Sequence, residues 1–264
     1  MKSFLKKHWK RFRKYQFLLE ELVRRDFRKQ YRRAALGVVW SMLSPLLTLL
    51  VMSIVFTQFF GRGAGVVHYT TYLFSGLLVM NYYRDATKDG MSSIRENHKI
   101  LTKINIPKYL FVFSENASSM INFLLSMIVF FIFCAIDGIH FGPHLFLLIY
   151  PIFWLSVMNV GVGLILATWY VFFRDMKYLY DVFLRLLIYM SAIFYQVDRF
   201  PAKYHRFFLL NPVYVVIKYV RMIVIEEKMP SVSYQLLCAG YATFFLIVGI
   251  LTYRKYNKEF IYYL

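Results

Sequence analysis

Roughly six times between Val38 and Tyr253 the chain returns to an apolar run long enough to cross a lipid bilayer, and this recurrence limits its fold more than any other feature. A spanning helix needs about 20 mostly apolar residues. Inside hydrocarbon every backbone N–H and C=O must be satisfied within protein, so such runs become helices packed on one another. The composition agrees, with 59% of 264 residues hydrophobic, 20% aromatic and only 17% charged. A water-soluble enzyme is thereby ruled out. The reading is an all-α, polytopic membrane helical bundle of about six spans, with little chain left for a separate soluble domain.

The first run is Val38 to Phe60, where Pro45 is tolerated because neighbouring helices re-satisfy the freed backbone. Gly61 to Gly65 is a glycine-rich turn, and a weaker run from Val66 to Tyr83 is closed by Arg84, Asp85, Lys88 and Asp89. Tyr109 to Ile136, Leu145 to Phe173, Leu179 to Tyr195 and Tyr234 to Tyr253 complete the set. Residues 207–225 are also apolar, yet Lys218 and Arg221 would each cost about 2.5 to 3.5 kcal/mol at the centre of a crossing helix, and Asn211-Pro212 interrupts it. They are expected to form a pair of re-entrant or interfacial helices within an outer region, 197–230.

The formal charge of +18, from 32 Lys and Arg against 14 Asp and Glu, is concentrated before the first apolar run. There Leu5, Trp9, Phe12, Leu19, Val23 and Phe27 recur at helical spacing with Lys and Arg on the other face. The pattern fits a helix lying on anionic membrane, or a solvated basic helix, rather than a surface for nucleic acid, for which no binding motif is present. Thirteen Lys and Arg before Ala34, six from Arg84 to Lys108, and Arg174, Lys177, Arg254, Lys255 and Lys258 then share one side of the membrane. Arg62 and six from Arg199 to Lys228 lie on the other, which places both termini in the cytoplasm. No short apolar stretch with a cleavage site follows the basic start, so the N-terminus is expected to be retained. Residues 92–106 are too polar to cross, and Ile94, His98 and Leu101 share a helical face beside the charges of Arg95, Lys99 and Lys103. A short cytoplasmic helix is expected there, ended by Pro107.

No phosphate loop, HExxH zinc site, GxSxG elbow or paired-cysteine metal motif occurs, so the chain has no nucleotide-driven motor of its own. Cys134 and Cys238 sit inside apolar runs as small hydrophobes, and the six histidines share no metal-like spacing. Asp181 and Arg185 stand four apart near one end of the fifth run and can pair; ionisable residues there either neutralise each other or contact cargo. Asn116, Asn122 and Asn159 can bind helix to helix. Tyr and Trp cluster at span ends as an interfacial belt, or in part line a conduit along which sugar faces slide.

Four stretches, ELVRRDFRKQYRRAALGVVWSMLSPLL at 21–47, KINIPKYLF, WYVFFRDMKYLYDV and NPVYVVIKYVR, together resemble the type-2 ABC exporter permeases for polysaccharide and polyol-phosphate polymers, meaning O-antigen, capsule and teichoic acid. Arg25 and Asp26 lie in the first stretch. Leu36-Gly37, Trp40 and Pro45 match the family's first-span entry, Arg174-Asp175 its fourth-span exit, and Asn211-Pro212 its outer gate. Ala192 departs from the family, which usually has proline after the preceding serine.

The resemblance implies a homodimer in the bacterial plasma membrane, docked on two copies of a cytoplasmic ABC ATPase that bind ATP and Mg; this chain itself holds no cofactor or metal. Each copy would have an interface helix over 1–33 and a permease domain over 34–264. A coupling helix over 92–106 would press into the ATPase through Ile94, Arg95, Glu96, His98, Lys99 and Leu101. The cargo would be a lipid-linked polysaccharide or teichoic-acid-type polymer. The first and fifth spans would face the dimer axis, and the cargo's path would pass Phe56, Asp181, Arg185, Tyr189, Phe194 and Tyr195. The alternatives are a drug or lipid efflux permease of the same fold and, from another class, a membrane-embedded polyprenyl-phosphate glycosyltransferase. That enzyme needs carboxylates at the membrane surface, where only Asp85 and Asp89 stand close together.

Overall fold

The computed structural model describes residues 2–31, 36–55, 68–104 and 106–263. Phe56, the rest of the first apolar run and the turn at Gly61 to Gly65 lie outside the described residues, as do the side chains of Leu5, Trp9 and Phe12. All regular structure among the described residues is helical. The order is α1 (Lys2–Tyr31), α2 (Val39–Ile54), α3 (Tyr69–Glu96), α4 (His98–Leu101) and α5 (Tyr109–Ile136), then a 3-10 turn (Pro143–Leu148) that runs into α6 (Ile149–Phe172). After these come α7 (Met176–Met190), α8 (Ala202–Phe208), α9 (Pro212–Val224), α10 (Val232–Tyr256) and α11 (Phe260–Tyr263).

α3 is the axis of the bundle, packed by α2, α5, α6, α7 and α9. Lipid tails are as apolar as leucine, so helices hold together by close approach rather than by escape from water. α6 and α10 meet backbone to backbone because Gly161 faces Phe245 and Leu246, with Gly249 against Gly161 itself. A Cβ on Gly161 would fall 2.5 Å from the Leu246 nitrogen. Gly90 and Gly163 do the same for α3 against α6. Near the start of α3, Phe74 packs edge-on against Phe130 of α5 at 5.5 Å. Asp137 at the end of α5 accepts hydrogen bonds from the Thr71 N–H and hydroxyl, setting an anion on the first turn of α3, where the helix dipole favours it.

Among the described residues three units, α5, the 3-10 turn with α6, and α10, are long and apolar enough to cross a membrane. Two segments differ from the sequence reading. α3 does not stop at Tyr83 but continues through its charged residues to Glu96, 28 residues in all and about 42 Å long. Residues 92–106 are therefore not one coupling helix: Ile94, Arg95 and Glu96 form the last turn of α3. The break comes at Asn97, whose side chain donates to the Ser93 carbonyl at 2.7 Å and competes with the helix. His98, Lys99 and Leu101 then fall on the four-residue α4.

α7 starts earlier and stops sooner than Leu179 to Tyr195, ending at Met190 after 15 residues, about 22 Å. Ala192 takes a left-handed φ of 49°, so the chain turns there without a proline. Beyond the turn, Asn211 caps α9: its side-chain oxygen accepts from the N–H groups of Val213 at 3.0 Å and Tyr214 at 3.3 Å, with Pro212 in the first helical position. α1 docks on α5, because Leu22 packs with Ile106, Leu110 and Phe111 while the buried Asp26 accepts from Ser114 Oγ at 2.9 Å.

Candidate transport site

α9 is short, apolar and almost wholly buried, yet it carries Arg221 with 3% of its surface exposed. A guanidinium has five donors and cannot discard its charge, so burying it demands acceptors. They are supplied by backbone. Arg221 donates to the carbonyls of Ala192 at 2.9 Å, Tyr72 at 3.1 Å and Ile193 at 3.3 Å, and to Ser75 Oγ at 3.3 Å, while its plane lies 3.4 Å from the Tyr72 ring centre. The Tyr72 hydroxyl donates to the Tyr195 carbonyl at 2.7 Å, and Asn211 Nδ2 donates to Ser191 Oγ at 2.9 Å. One arginine thus ties α9, the start of α3 and the turn after α7, holding the left-handed Ala192 against relaxation. It also sets a positive charge at the C-terminal end of α7, where the dipole favours it.

Sequence reasoning used Arg221 only as an argument against a crossing. The signal that could have found it is the rule that an ionisable residue at membrane depth marks a function unless a partner explains it. Phe194 and Tyr195 belong to this turn rather than to α7, and are half-buried. The Tyr195 hydroxyl bonds the Tyr189 carbonyl at 2.7 Å.

Asp181 does not pair with Arg185. Its ion pair, at 2.7 Å, is with Lys88 of α3, one turn beyond the span proper. The pairing changes because α3 runs on past Tyr83 alongside α7, which brings Lys88 within reach. Nearby the Tyr180 hydroxyl donates to Thr87 Oγ1 at 2.6 Å, locking the same two helices. Arg185 is instead exposed, on a face with Tyr178, Val182, Phe183, Leu186 and Tyr189, and forms no salt bridge among the described residues. α2 presents a similar exposed face through Val39, Trp40, Leu47, Val51 and Ile54.

At the α1 end, Lys29 meets Glu96 at 2.8 Å. Burial pushes the Glu96 carboxyl up, but the hydrogen bonds from Lys29 and Ser92 together with the charges of Lys29 and Lys177 outweigh it and leave the group below its ordinary value. The hydrogen bond that Lys29 donates to Glu96 holds the lysine above its usual value. The acid's contribution is lost as pH falls through its lowered value and the lysine's as pH rises through its raised one, so the tie is intact around neutrality. Arg95 lies 5.3 Å over the Tyr170 ring, Ile94 is fully buried, and Lys99 and Ile104 are exposed. The His98 ring bonds the Arg95 carbonyl at 3.0 Å, and Leu101 packs inward. Of the six residues assigned to a coupling face, Glu96 and Lys99 are exposed.

Among the motif residues, Arg25 grips Asp26 through Nε and Nη2 at 2.8 and 2.6 Å, Gly37 adopts a left-handed φ of 51°, Pro45 sits inside α2, and Arg174 and Asp175 form the exposed turn before α7.

The family model described as ABC-2 type transporter matches residues 18–225. The chain is 24% identical over 252 residues to an O-antigen export system permease protein RfbA of Myxococcus xanthus, covering 93% of this chain and 95% of that protein. It is 22% identical to a polysialic acid transport protein KpsM of Escherichia coli, covering 89% and 92%. It is also 20% identical to a capsule polysaccharide export inner-membrane protein CtrC of Neisseria meningitidis, covering 72% of each.

Proposed function

This chain belongs to the ABC-2 type transporter family, and from that premise we propose that it is the membrane permease subunit of an ATP-driven exporter whose cargo is a lipid-linked polysaccharide. The observation that carries the cargo class is the likeness over nine-tenths of both chains to permeases named for O-antigen and polysialic acid. The sequence has no phosphate loop, so ATP and Mg are held by a separate ABC ATPase, present in two copies. The chain is a transport subunit rather than an enzyme.

Two copies face each other through α2 and α7. Support comes from Arg185, which stands exposed two-thirds of the way along α7 among apolar and aromatic side chains. Against lipid tails it would cost about 2.5 to 3.5 kcal/mol, so the face that carries it looks onto a wet path or a second copy. Tyr189 and Phe183 on that face offer flat amphipathic surfaces for a sliding sugar chain. The basic α1 end is cytoplasmic by the positive-inside rule, which puts Lys99 toward the ATPase and the Arg221 clamp at the outer end.

The test is loss of the chain in its own host, followed separately in surface glycan and in cell-internal lipid-linked glycan. Surface polymer should vanish while the lipid-linked form accumulates inside. Unchanged surface polymer with altered drug or lipid efflux would favour the other cargo, and loss of glycan synthesis itself would favour a glycosyltransferase.

A further inference from the structure

A cavity of about 560 Å³ lies between the end of α1, the first turns of α2 and the middle of α3 and α5, open at its rim, where Gln30, Trp40, Ser44 and Thr48 are exposed, and floored by buried Ser41, Tyr82, Ser119 and Phe123. It differs from the apolar surroundings in its lining, which is mostly hydroxyl and amide groups together with the Trp40 ring. Three of those groups have unspent capacity: Ser44, Asn81 and Ser119 make no side-chain hydrogen bond among the described residues. Ser119 is only 4% exposed. The two charged residues of the described lining, Arg84 and Asp85, bond each other at 2.9 Å, so among the described residues the lining has no unpaired cation.

We propose that this cavity is a carbohydrate-binding site for one to three uncharged sugar rings of the cargo at the level of the cytoplasmic leaflet, a role that rests on the transport reading above. The size falls within the range of about 300 to 1,000 Å³ typical of small-molecule sites. A neutral, many-hydroxyl ligand matches the donor and acceptor set: Asn81 both gives and accepts, and Ser44 and Ser119 do either. Trp40 supplies a flat amphipathic face beside them. A phosphate or diphosphate would instead call for an unpaired cation, and the one cation among the described lining residues, Arg84, is engaged by Asp85. The site is separate from the exposed face of α7, since none of its lining comes from that helix.

A diazirine amino acid placed at Asn81 or Ser119 in the full chain, in cells that make the polymer, reads the occupant directly, with exposed Phe244 of α10 as the control position. Light should attach glycan, detected on the purified chain by periodate and hydrazide labelling, at both cavity positions and not at 244. Adducts of lipid without carbohydrate, or no adduct, at 81 and 119 overturn the site. Asn81→Leu, close in volume, should slow export about tenfold at unchanged expression and melting temperature, and Ser119→Ala should slow it severalfold. Normal export in both variants overturns the proposal as well. If loss of the chain abolishes surface glycan but positions 81 and 119 never label, the site alone fails; if surface glycan survives that loss, the transport reading fails with it.

Discussion

At the scale of single residues, a charge at membrane depth is kept by what it touches. Arg221 has backbone carbonyls and an aromatic ring but no carboxylate among its described partners. Arg221→Met removes the donors and strands several buried carbonyls, and should cost about 3 kcal/mol, read as a lowered melting temperature in detergent. Arg221→Lys keeps the charge without the planar fork and should fall between. A methionine variant as stable as the parent would mean the clamp is not holding the turn. Asp181 and Lys88 are partly exposed, at 29% and 41%, so Asp181→Ala should cost less than about 1 kcal/mol. Arg185→Ala should leave stability unchanged and lower export, a split that a purely structural arginine would not give. Equal loss of both would remove Arg185 from the path.

At the scale of elements, Gly161 and Gly240 make a controlled pair. Gly161→Ala forces α6 off the α10 backbone and should destabilise by about 1 to 3 kcal/mol, whereas nothing lies within 4 Å of a Cβ on Gly240, and Gly240→Ala should be neutral or gain up to about 1 kcal/mol. Equal melting temperatures would deny the backbone seam. Lys99→Glu on exposed α4 should lower export with the chain still inserted, while Arg95→Glu should also lower stability by losing the Tyr170 ring; normal export with Lys99→Glu would take α4 out of the coupling contact. Sequence made the long elements legible where one period ruled them, so Tyr109 to Ile136 reads as a helix with the same ends that the structure shows. It failed where side chains decide: the Asn97 back-bond splits the 92–106 segment, α7 ends at a left-handed alanine, and Asp181 answers to a lysine 93 positions away in the chain. A cation held by carbonyls leaves no pattern in composition or spacing, which is why Arg221 read only as an obstacle to crossing.

At the scale of the whole molecule, the bundle is a set of helices zipped by glycine and fastened at both ends, by Arg221 at one and by α1 on α5 at the other. α2, α5, α7 and α10 all present exposed apolar faces, and of these the face of α7 bears Arg185. That charged, aromatic face is the one the proposed transport reading sets against a second copy. The most direct measurement is export into inverted membrane vesicles holding this chain with its ATPase and loaded on the outside with lipid-linked glycan from the host. Glycan should become protected from added glycosidase when ATP and Mg are supplied, and not with a non-hydrolysable nucleotide or without this chain. Protection that is independent of ATP, or that persists when this chain is omitted, would contradict the account.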